Sequence, residues 1–320
     1  LLIDGRGEKI LEEHLPEDSF LRKHMITSMM TVYPSTTVAA TTAVITGETP
    51  YETGWIGWHQ YFRELDAYNV MFLSQDYYSG KPTPYDYAYK AVPLRTMGDK
   101  IRTNGYQYQE VYPPFRPNGV HSMEEMTKRL QELSETYHHG YLYAYWDKFD
   151  SLMHVVGPHD GKVKEELENI NKLLEDLSKD WPENQLLLVI ADHGQIEIET
   201  KNMMDHPELM ACMNRLPSVE PRAICMDVKE EKKEEFKKTF TEYYGNDFIL
   251  YTRDEWYREG YFGTGKKSER LDDFTGNFIA AAISDVSLVA LEEGKTRPCI
   301  GDHAGLSEQE MMIPLIRIGG

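Results

Sequence analysis

The stretch "QLLLVIADHG", residues 185–194, decides the fold class. Its continuous apolar run, residues 186–191, is typical of a central parallel strand that is buried on both faces. The amphipathic pattern of residues 161–180 predicts a helix before it, and the aromatic run "YLYAYW", residues 141–146, predicts another strand. Strands that alternate with helices predict an α/β fold, in which a mainly parallel central sheet carries helices on both faces.

Two other segments extend this plan, and a third departs from it. "LLID", residues 1–4, predicts a short strand, and residues 122–138 predict a helix that begins with a Ser-x-x-Glu capping sequence. Residues 206–285 instead predict a strand, a charge-rich helix and a strand in succession. We therefore predict a small inserted α+β subdomain at residues 206–285, within a core formed by residues 1–205 and 286–320.

The chain is strongly acidic, with a formal net charge of −19. This charge argues against a nucleic-acid polymer or an anionic membrane as the partner, because both attract basic surfaces. A small phosphate ester stays compatible with it, since bound metal ions reverse the local field. No apolar run approaches the length that spans a bilayer. The sequence leaves the oligomeric state open.

The three cysteines, Cys212, Cys225 and Cys299, form neither a metal-binding spacing nor a disulfide framework. Isolated cysteines are typical of a reducing compartment, so we expect a cytoplasmic protein. The chain opens on what reads as the end of a strand, and residues before Leu1 are therefore expected. A removed signal peptide stays open as the alternative.

Acidic and histidine side chains follow the predicted strands at four places. They are Asp4, then Asp150 with His154, then Asp192 with His193, and finally His303. Sites in open α/β sheets form at the carboxyl ends of strands, and i, i+4 spacing puts two side chains on one face of a helix. Three Asp and three His side chains are enough to hold two metal ions. Two neighbouring metal ions suit phosphoryl transfer.

Each of these places also has a plain structural interpretation. Asp4 with Gly5 fits an ordinary turn at the end of a strand. The pair Asp150 and His154 fits an exposed helix face. Asp192 and His193 are harder to explain in this way, because an ionisable pair directly after a buried strand is costly unless it binds something.

The stretch "YPSTTVAATTAVITGETPYETG", residues 33–54, gathers hydroxyl groups beside a helix-like apolar run. Threonine is a poor helix former, because its branched side chain is stiff and its hydroxyl competes for backbone hydrogen bonds. One explanation is that Ser35 or a threonine caps a buried helix. The other is a nucleophilic hydroxyl at a helix N-terminus, where free N–H groups favour an anion.

In combination and in this order, the segments resemble the alkaline phosphatase superfamily, and within it the type I phosphodiesterase/nucleotide pyrophosphatase family. The resemblance rests on "LLIDGRG", "YPSTTVAATTAVITGETPYETG", "DSLMHVVGP", "VIADHG" and "GDHAGLSEQEMMIPLI". It implies an alkaline-phosphatase-like fold and a metal-dependent hydrolase that acts on ester bonds. In such proteins the nucleophile lies nine residues before the Thr of a Thr-Gly pair. Here Thr46-Gly47 points to Thr37, with Thr36 as the alternative.

The resemblance also implies the metal ligands and the reaction. One ion would be held by Asp4, Asp192, His193 and Thr37, and the other by Asp150, His154 and His303. The ions are expected to be zinc, although an Asp/His set also suits manganese or iron. Thr37 would attack a phosphate ester in line and form a phospho-threonine, which water then hydrolyses. The expected substrate is a small phosphate ester or a nucleotide-like molecule.

Three positions depart from the family's usual pattern. Trp58 stands near the place where an Asn often donates to a phosphate oxygen, Met153 precedes the first histidine ligand in place of Gly, and Ala304 follows His303 in place of Gly. The first departure leaves the preference for monoesters or diesters open. Trp55, Trp58 and Tyr61 either line a substrate pocket or pack a loop.

Two other functions compete with a phosphodiesterase or nucleotide pyrophosphatase. The first is another reaction on the same metal site, namely phosphomonoester hydrolysis, phosphonate hydrolysis or a phosphomutase. A mutase needs cationic groups that hold a departing phosphorylated product, and only scattered candidates such as Arg222 are present. The second is a metal-binding sensor or binding module without turnover.

Overall fold

The computed structural model describes residues 1–136, 139–292 and 294–320. The strands in these ranges are β1 (Leu2–Ile3), β2 (Met25–Met30), β3 (His59–Phe62), β4 (Ala67–Val70), β5 (Gln107–Val111), β6 (Gly140–Trp146), β7 (Leu186–Val189), β8 (Ile196–Glu197), β9 (Glu199–Asn202), β10 (Ser218–Val219), β11 (Ala223–Met226), β12 (Phe248–Thr252), β13 (Phe278–Ala282), β14 (Val286–Val289), β15 (Gly301–Asp302) and β16 (Met312–Gly319).

The α-helices in the same ranges are α1 (Glu8–His14), α2 (Phe20–Lys23), α3 (Thr37–Thr46), α4 (Pro50–Thr53), α5 (Tyr87–Ala91), α6 (Met97–Thr103), α7 (Met123–Thr136), α8 (Lys148–Val156), α9 (Gly161–Lys179), α10 (Pro207–Met210), α11 (Lys233–Tyr244), α12 (Arg253–Glu259), α13 (Leu271–Thr275) and α14 (Glu308–Met311). Short 3₁₀ turns cover Met203–Asp205 and Glu230–Lys232. The helix predicted over residues 122–138 is α7, and residues 137 and 138 lie outside the described residues.

The central sheet has the strand order β5, β6, β1, β7, β16, β2. The pairs β5–β6 and β6–β1 are parallel, and β1 continues in parallel onto the residue after β7, where the Ile3 amide donates to the Ile190 carbonyl at 2.9 Å. The pairs β7–β16 and β16–β2 are both antiparallel. Five of the six strands therefore run in one direction, which confirms the predicted mainly parallel sheet.

Alternating residues of the central strands face two separate apolar layers. Ile3, Ala144 and Trp146 pack with residues of α1, α7 and α9 on one face of the sheet. Leu2, Tyr143 and Tyr145 pack with residues of α3 and α6 on the other face. Successive side chains of a strand point to opposite faces, so the sheet buries both of its surfaces under helices as predicted.

A second sheet of six strands has the order β12, β13, β11, β10, β3, β4, and its neighbouring strands are antiparallel. Aromatic residues of α11 pack on one face of it, against Phe248 and Phe278. The predicted strand, helix and strand of residues 222–252 correspond to β11, α11 and β12. Because β3 and β4 lie within residues 59–70, this sheet also includes strands from outside residues 206–285. The division into domains stays a prediction.

Among the described helices, none combines the length and the apolar character that a membrane crossing requires.

Candidate metal centre

Two neighbouring strands of the central sheet deliver the first three candidate ligands. Asp4 follows β1 directly, and Asp192 and His193 follow Ile190, which is hydrogen-bonded to β1. All three side chains are buried. The carboxyl ends of parallel strands meet at one edge of the sheet, and these side chains therefore lie together although the strands are distant in sequence.

Two glycines beside these ligands permit a very close approach of the backbone. Gly5 has a φ of +70°, and a Cβ on it would lie 2.9 Å from Cβ of Asp150. A Cβ on Gly194 would lie 1.9 Å from the carbonyl oxygen of Gln309. The Asp-Gly and Asp-His-Gly sequences thus follow from the packing around the ligands, since a larger residue fits at neither position.

Asp4, Asp192 and His193 form the first group. Nε2 of His193 lies 3.3 Å from Oδ1 of Asp4 and 3.6 Å from Oδ2 of Asp192. The other oxygen of Asp192, Oδ1, accepts from the backbone amides of Gly5 and His193, each at 3.0 Å. The three side chains can offer one ligand atom each to a single metal ion.

Helix α8 supplies two members of the second group. Asp150 and His154 lie one helical turn apart, with Nε2 of His154 3.2 Å from Oδ2 of Asp150. His303, which follows β15, has its Nε2 3.9 Å from Oδ1 of Asp150. These three side chains can also offer ligand atoms to a single metal ion. The helix face predicted from the i, i+4 spacing is thus turned towards the centre.

The three histidines share one orientation. In each of them Nδ1 faces a backbone carbonyl oxygen: Gly301 at 2.7 Å for His154, Gly194 at 2.9 Å for His193 and Ser35 at 3.2 Å for His303. In each of them Nε2 faces a carboxylate. A carbonyl that binds one ring nitrogen fixes the tautomer and leaves the other nitrogen free as a ligand, which is the usual arrangement of metal-binding histidines.

The charge of the cluster also fits a bound cation. Oδ2 of Asp192 is buried, and none of the residues that the structure describes forms a hydrogen bond with it. Burial raises the pKa of Asp192 well above its usual value, with a further rise from the Asp4 carboxylate, and burial with the nearby Asp150 carboxylate likewise raises the pKa of Asp4. Buried carboxylates in contact are costly unless a positive charge compensates them. The residues of both groups therefore fit divalent metal ions.

The two candidate hydroxyls at the start of α3 point to different places. Oγ1 of Thr37 lies 3.2 Å from Nε2 of His193 and 3.4 Å from each carboxylate oxygen of Asp4. Oγ1 of Thr36 instead donates to Oε1 of Glu220 at 2.6 Å. Thr37 is thus the hydroxyl that lies within the first group.

Three residues around the centre were not predicted from the sequence. The Tyr145 hydroxyl donates to Oδ2 of Asp4, and Gln195 Nε2 donates to Oδ1 of Asp150 at 2.9 Å. Glu220 is buried against Thr36, and burial raises its pKa to about 7. Gln195 lies two residues after His193 and could have been proposed from that position. Tyr145 and Glu220 carry no such signal in the sequence.

A comparison with protein families matches residues 1–305 to "Type I phosphodiesterase / nucleotide pyrophosphatase". The chain belongs to this family. Its members are hydrolases that use divalent metal ions, and the Asp/His groups of this chain are placed to bind them. A search of curated proteins found no match.

Solved structures share the fold of this phosphodiesterase-family chain at low sequence identity. Murine ectonucleotide pyrophosphatase/phosphodiesterase 5 is 16% identical with a TM-score of 0.71, and the match covers 100% of this chain and 87% of that one. An inactive variant of the murine protein, solved in complex with AMP, has a TM-score of 0.69 at 15% identity and the same coverage. Phosphonoacetate hydrolase from Sinorhizobium meliloti, in complex with phosphonoformate, is 13% identical with a TM-score of 0.73, and the match covers 99% and 88%.

The two tryptophans predicted as substrate contacts, Trp55 and Trp58, lie in different environments. Trp55 is fully buried, and its Nε1 donates to the Val92 carbonyl at 3.0 Å. These are the surroundings of a core residue, and the predicted contact of Trp55 with substrate stays a prediction. Trp58 is half-buried, packs edge to face with Phe72, and donates its backbone amide to Glu220 at 2.7 Å. Its predicted contact with substrate stays a prediction.

The other departures from the family pattern leave the ligands in place. Met153 is fully buried, and its Cε lies 2.9 Å from where a Cβ on Gly5 would be. Ala304 adopts a φ of +90°, a region that favours glycine. A non-glycine residue in such a conformation costs about 1–2 kcal/mol, which explains why glycine is common at this position.

Proposed function

We propose that the protein hydrolyses a phosphate ester with two bound metal ions, as a phosphodiesterase or nucleotide pyrophosphatase, through a phospho-threonine on Thr37. The observation that carries the proposal is the position of Thr37 Oγ1, 3.2 Å from His193 and 3.4 Å from Asp4. A hydroxyl inside a group of metal-type ligands fits a nucleophile better than a helix cap. Thr37 also makes no capping bond, since the residue at the N-cap of α3 is Thr36.

In this proposal Asp4, Asp192, His193 and Thr37 hold one metal ion. Asp150, His154 and His303 hold the other. Zinc suits an Asp/His ligand set, and manganese or iron are the alternatives for the test. The bound ions would supply positive charge that favours the ionised threonine hydroxyl and stabilises negative charge on the phosphoryl oxygens.

The chain's own residues would carry the reaction in two steps. Thr37 lies at the first position of α3, where free backbone N–H groups favour a phosphoryl group. Its Oγ–P bond forms as the ester P–O bond breaks, and the leaving group departs as an alcohol with the proton of the hydroxyl. Water then attacks the phospho-threonine, which returns the Thr37 hydroxyl and releases the phosphate product.

We expect a small phosphate ester with a nucleotide-like group as the substrate, because the murine relative of the same fold was solved with AMP. Phosphonate hydrolysis is the second candidate. It is favoured by Trp58, which stands where the family often has an Asn for a phosphate oxygen, and by the shared fold with phosphonoacetate hydrolase. The cytoplasmic location stays a prediction.

The test compares three substrates: bis-p-nitrophenyl phosphate, p-nitrophenyl phosphate and phosphonoacetate. Each is supplied with zinc or manganese to the wild type, Thr37→Ala and Thr46→Val. Thr46→Val is the matched control, because it removes a hydroxyl at the other end of α3. We expect a diester preference that is lost in Thr37→Ala by on the order of 1,000-fold and kept in Thr46→Val.

Each other outcome has a defined meaning. Full activity of Thr37→Ala contradicts the proposed nucleophile. Preference for p-nitrophenyl phosphate or for phosphonoacetate moves the function to a phosphatase or a phosphonate hydrolase on the same site. Bound metal without hydrolysis of any of the three contradicts the diesterase proposal and favours a binding role.

A further inference from the structure

Glu220 is a buried carboxylate beside the candidate centre that belongs to neither metal-ligand group. It follows β10 in the second sheet and is 6% exposed. One oxygen, Oε1, accepts from the Thr36 hydroxyl at 2.6 Å and from the Trp58 backbone amide at 2.7 Å. A single oxygen atom thus joins the second sheet, the start of α3 and the segment that contains Trp58.

Thr36 is the residue through which Glu220 reaches the nucleophile. It is the N-cap of α3, and its carbonyl accepts from the Ala40 amide at 2.9 Å. N-cap hydroxyls commonly accept from an amide of their own helix. The Thr36 hydroxyl makes no such bond and donates to Glu220 instead. The orientation of the first helical residue, Thr37, is therefore anchored from the second sheet.

The backbone that carries Glu220 is strained and tightly packed. Val219 has a φ of +86°, which is unusual for any residue with a side chain and most of all for a β-branched one. Gly57 packs against it so closely that a Cβ on Gly57 would lie 2.4 Å from Cγ1 of Val219. Such strain persists only where the surroundings fix the conformation, and it concentrates near functional sites.

We infer that Glu220 is a positioning residue for the hydrolytic reaction. Its hydrogen bond holds Thr36 in place. Thr36 in turn holds Oγ1 of the neighbouring Thr37 in line with the phosphoryl group. The same carboxylate fixes the backbone amide of Trp58. A displacement of about 1 Å at a reacting atom can lower a rate by roughly 100-fold, so the anchoring affects catalysis and not only folding. The inference rests on the proposed function of Thr37.

The experiment compares Glu220→Ala with Glu220→Gln, using bis-p-nitrophenyl phosphate and saturating zinc. The amide oxygen of Gln can still accept from Thr36 and Trp58, whereas Ala accepts from neither. We expect kcat of Glu220→Ala to fall roughly 100-fold with KM changed by less than about threefold, and kcat of Glu220→Gln to stay within about threefold of the wild type. Both variants should retain the metal content of the wild type.

Asp227→Ala is the matched control for loss of a carboxylate in the same sheet. Asp227 directly follows β11, as Glu220 follows β10, and its carboxylate accepts from Asn214 and Arg215. We expect its kcat to stay unchanged. Unfolding temperatures of all variants show whether a loss of activity follows a loss of stability.

Variants of Thr36 test the same hydrogen bond without changing the Glu220 carboxylate. Thr36→Ser retains the donor and should keep kcat, while Thr36→Val removes it and should lower kcat as Glu220→Ala does. The double variant Thr36→Val/Glu220→Ala should be no slower than the slower single variant, because both changes break the same contact.

Two outcomes overturn the inference. One is a folded, metal-loaded Glu220→Ala or Thr36→Val with wild-type kcat. The other is a Glu220→Gln that is as slow as Glu220→Ala, which would assign the effect to charge instead of hydrogen bonding. An inactive wild type in the same assay contradicts the proposed function itself, and the two failures are therefore distinguishable.

Discussion

The imidazole rings of His193 and His303 stack with their centroids 3.8 Å apart and an interplanar angle of 26°. His193 belongs to the first ligand group and His303 to the second. The stack therefore joins the two groups into one centre, although the residues come from distant parts of the chain. Nδ1 of each ring is hydrogen-bonded to a backbone carbonyl, so neither ring is free to rotate away.

Loss of one ligand group should remove one metal ion and leave the other. Asp192→Asn weakens the first group, and Asp150→Asn weakens the second, because a neutral amide is a poorer ligand than a carboxylate. We expect elemental analysis to give about two ions per chain for the wild type and about one for each variant. Asp254→Asn, at an exposed carboxylate, is the control. Loss of both ions from a single variant would show that the groups do not bind independently.

The Tyr145 hydroxyl should set the metal affinity through Asp4, to which it donates a hydrogen bond. Removal of a partner that orients a metal ligand typically lowers affinity by roughly 10- to 100-fold. We expect Tyr145→Phe to show this loss in a competition titration with a zinc indicator. Tyr143→Phe, on the same face of β6, should bind as the wild type does. An equal loss of zinc affinity in both variants would assign the effect to the packing of the β6 tyrosines against α3 and α6.

Gly194 should tolerate no larger residue, because a Cβ there would lie 1.9 Å from the Gln309 carbonyl oxygen. We expect Gly194→Ala to lower the free energy of unfolding by about 3 kcal/mol, as in overpacked cores. Gly161→Ala is the matched control, since a Cβ at Gly161 would meet no other described part of the chain within 4 Å beyond its neighbours and its own helix. Urea denaturation with EDTA present separates this effect from metal binding. Equal stability of the two variants would contradict the close approach.

His59 should make the stability depend on pH in acid. It is buried, and its ring stacks on the ring of Tyr77 with the centroids 3.7 Å apart. Burial lowers the pKa of His59 to about 3. The unfolded chain, with a histidine pKa of about 6.5, binds the proton more tightly. The free energy of unfolding therefore decreases as the pH falls from about 6.5 towards 3. The decrease between pH 7 and pH 5 is about 2 kcal/mol.

The variant His59→Phe measures how much of the pH dependence of stability comes from His59. His59→Phe keeps a flat ring against Tyr77 and has no group to protonate. Urea denaturation in EDTA should give a stability difference between variant and wild type that grows in favour of the variant by about 2 kcal/mol from pH 7 to pH 5. A difference that stays constant with pH would show that His59 titrates normally in the folded protein.

The sequence predicted the parts of the centre that follow local rules. Asp4 and Asp192 are the first polar residues after apolar strands, and the carboxyl ends of parallel strands meet at one edge. Asp150 and His154 have a helical spacing and lie on one face of α8. Each signal depends on a few neighbouring residues, which is why it could be recognised without a structure.

The parts that were missed depend on contacts between distant segments. Glu220 reaches Thr36 from another sheet, and nothing near Glu220 in the sequence indicates that contact. Tyr145 lies in an aromatic strand, where burial alone explains a tyrosine. The strands β3 and β4 join a sheet otherwise formed after residue 217, and no local pattern indicates that pairing.

Strand β16 has a consequence for the order of folding. It pairs with β2 on one side and β7 on the other, and it follows every other strand of the central sheet in sequence. During synthesis β2 therefore has no partner in this sheet until residues 312–319 leave the ribosome. An unpaired strand is prone to aggregation, and long-range pairing is slow. The sheet should close only after synthesis, and nascent chains that stop before β16 should depend on chaperones to stay in solution.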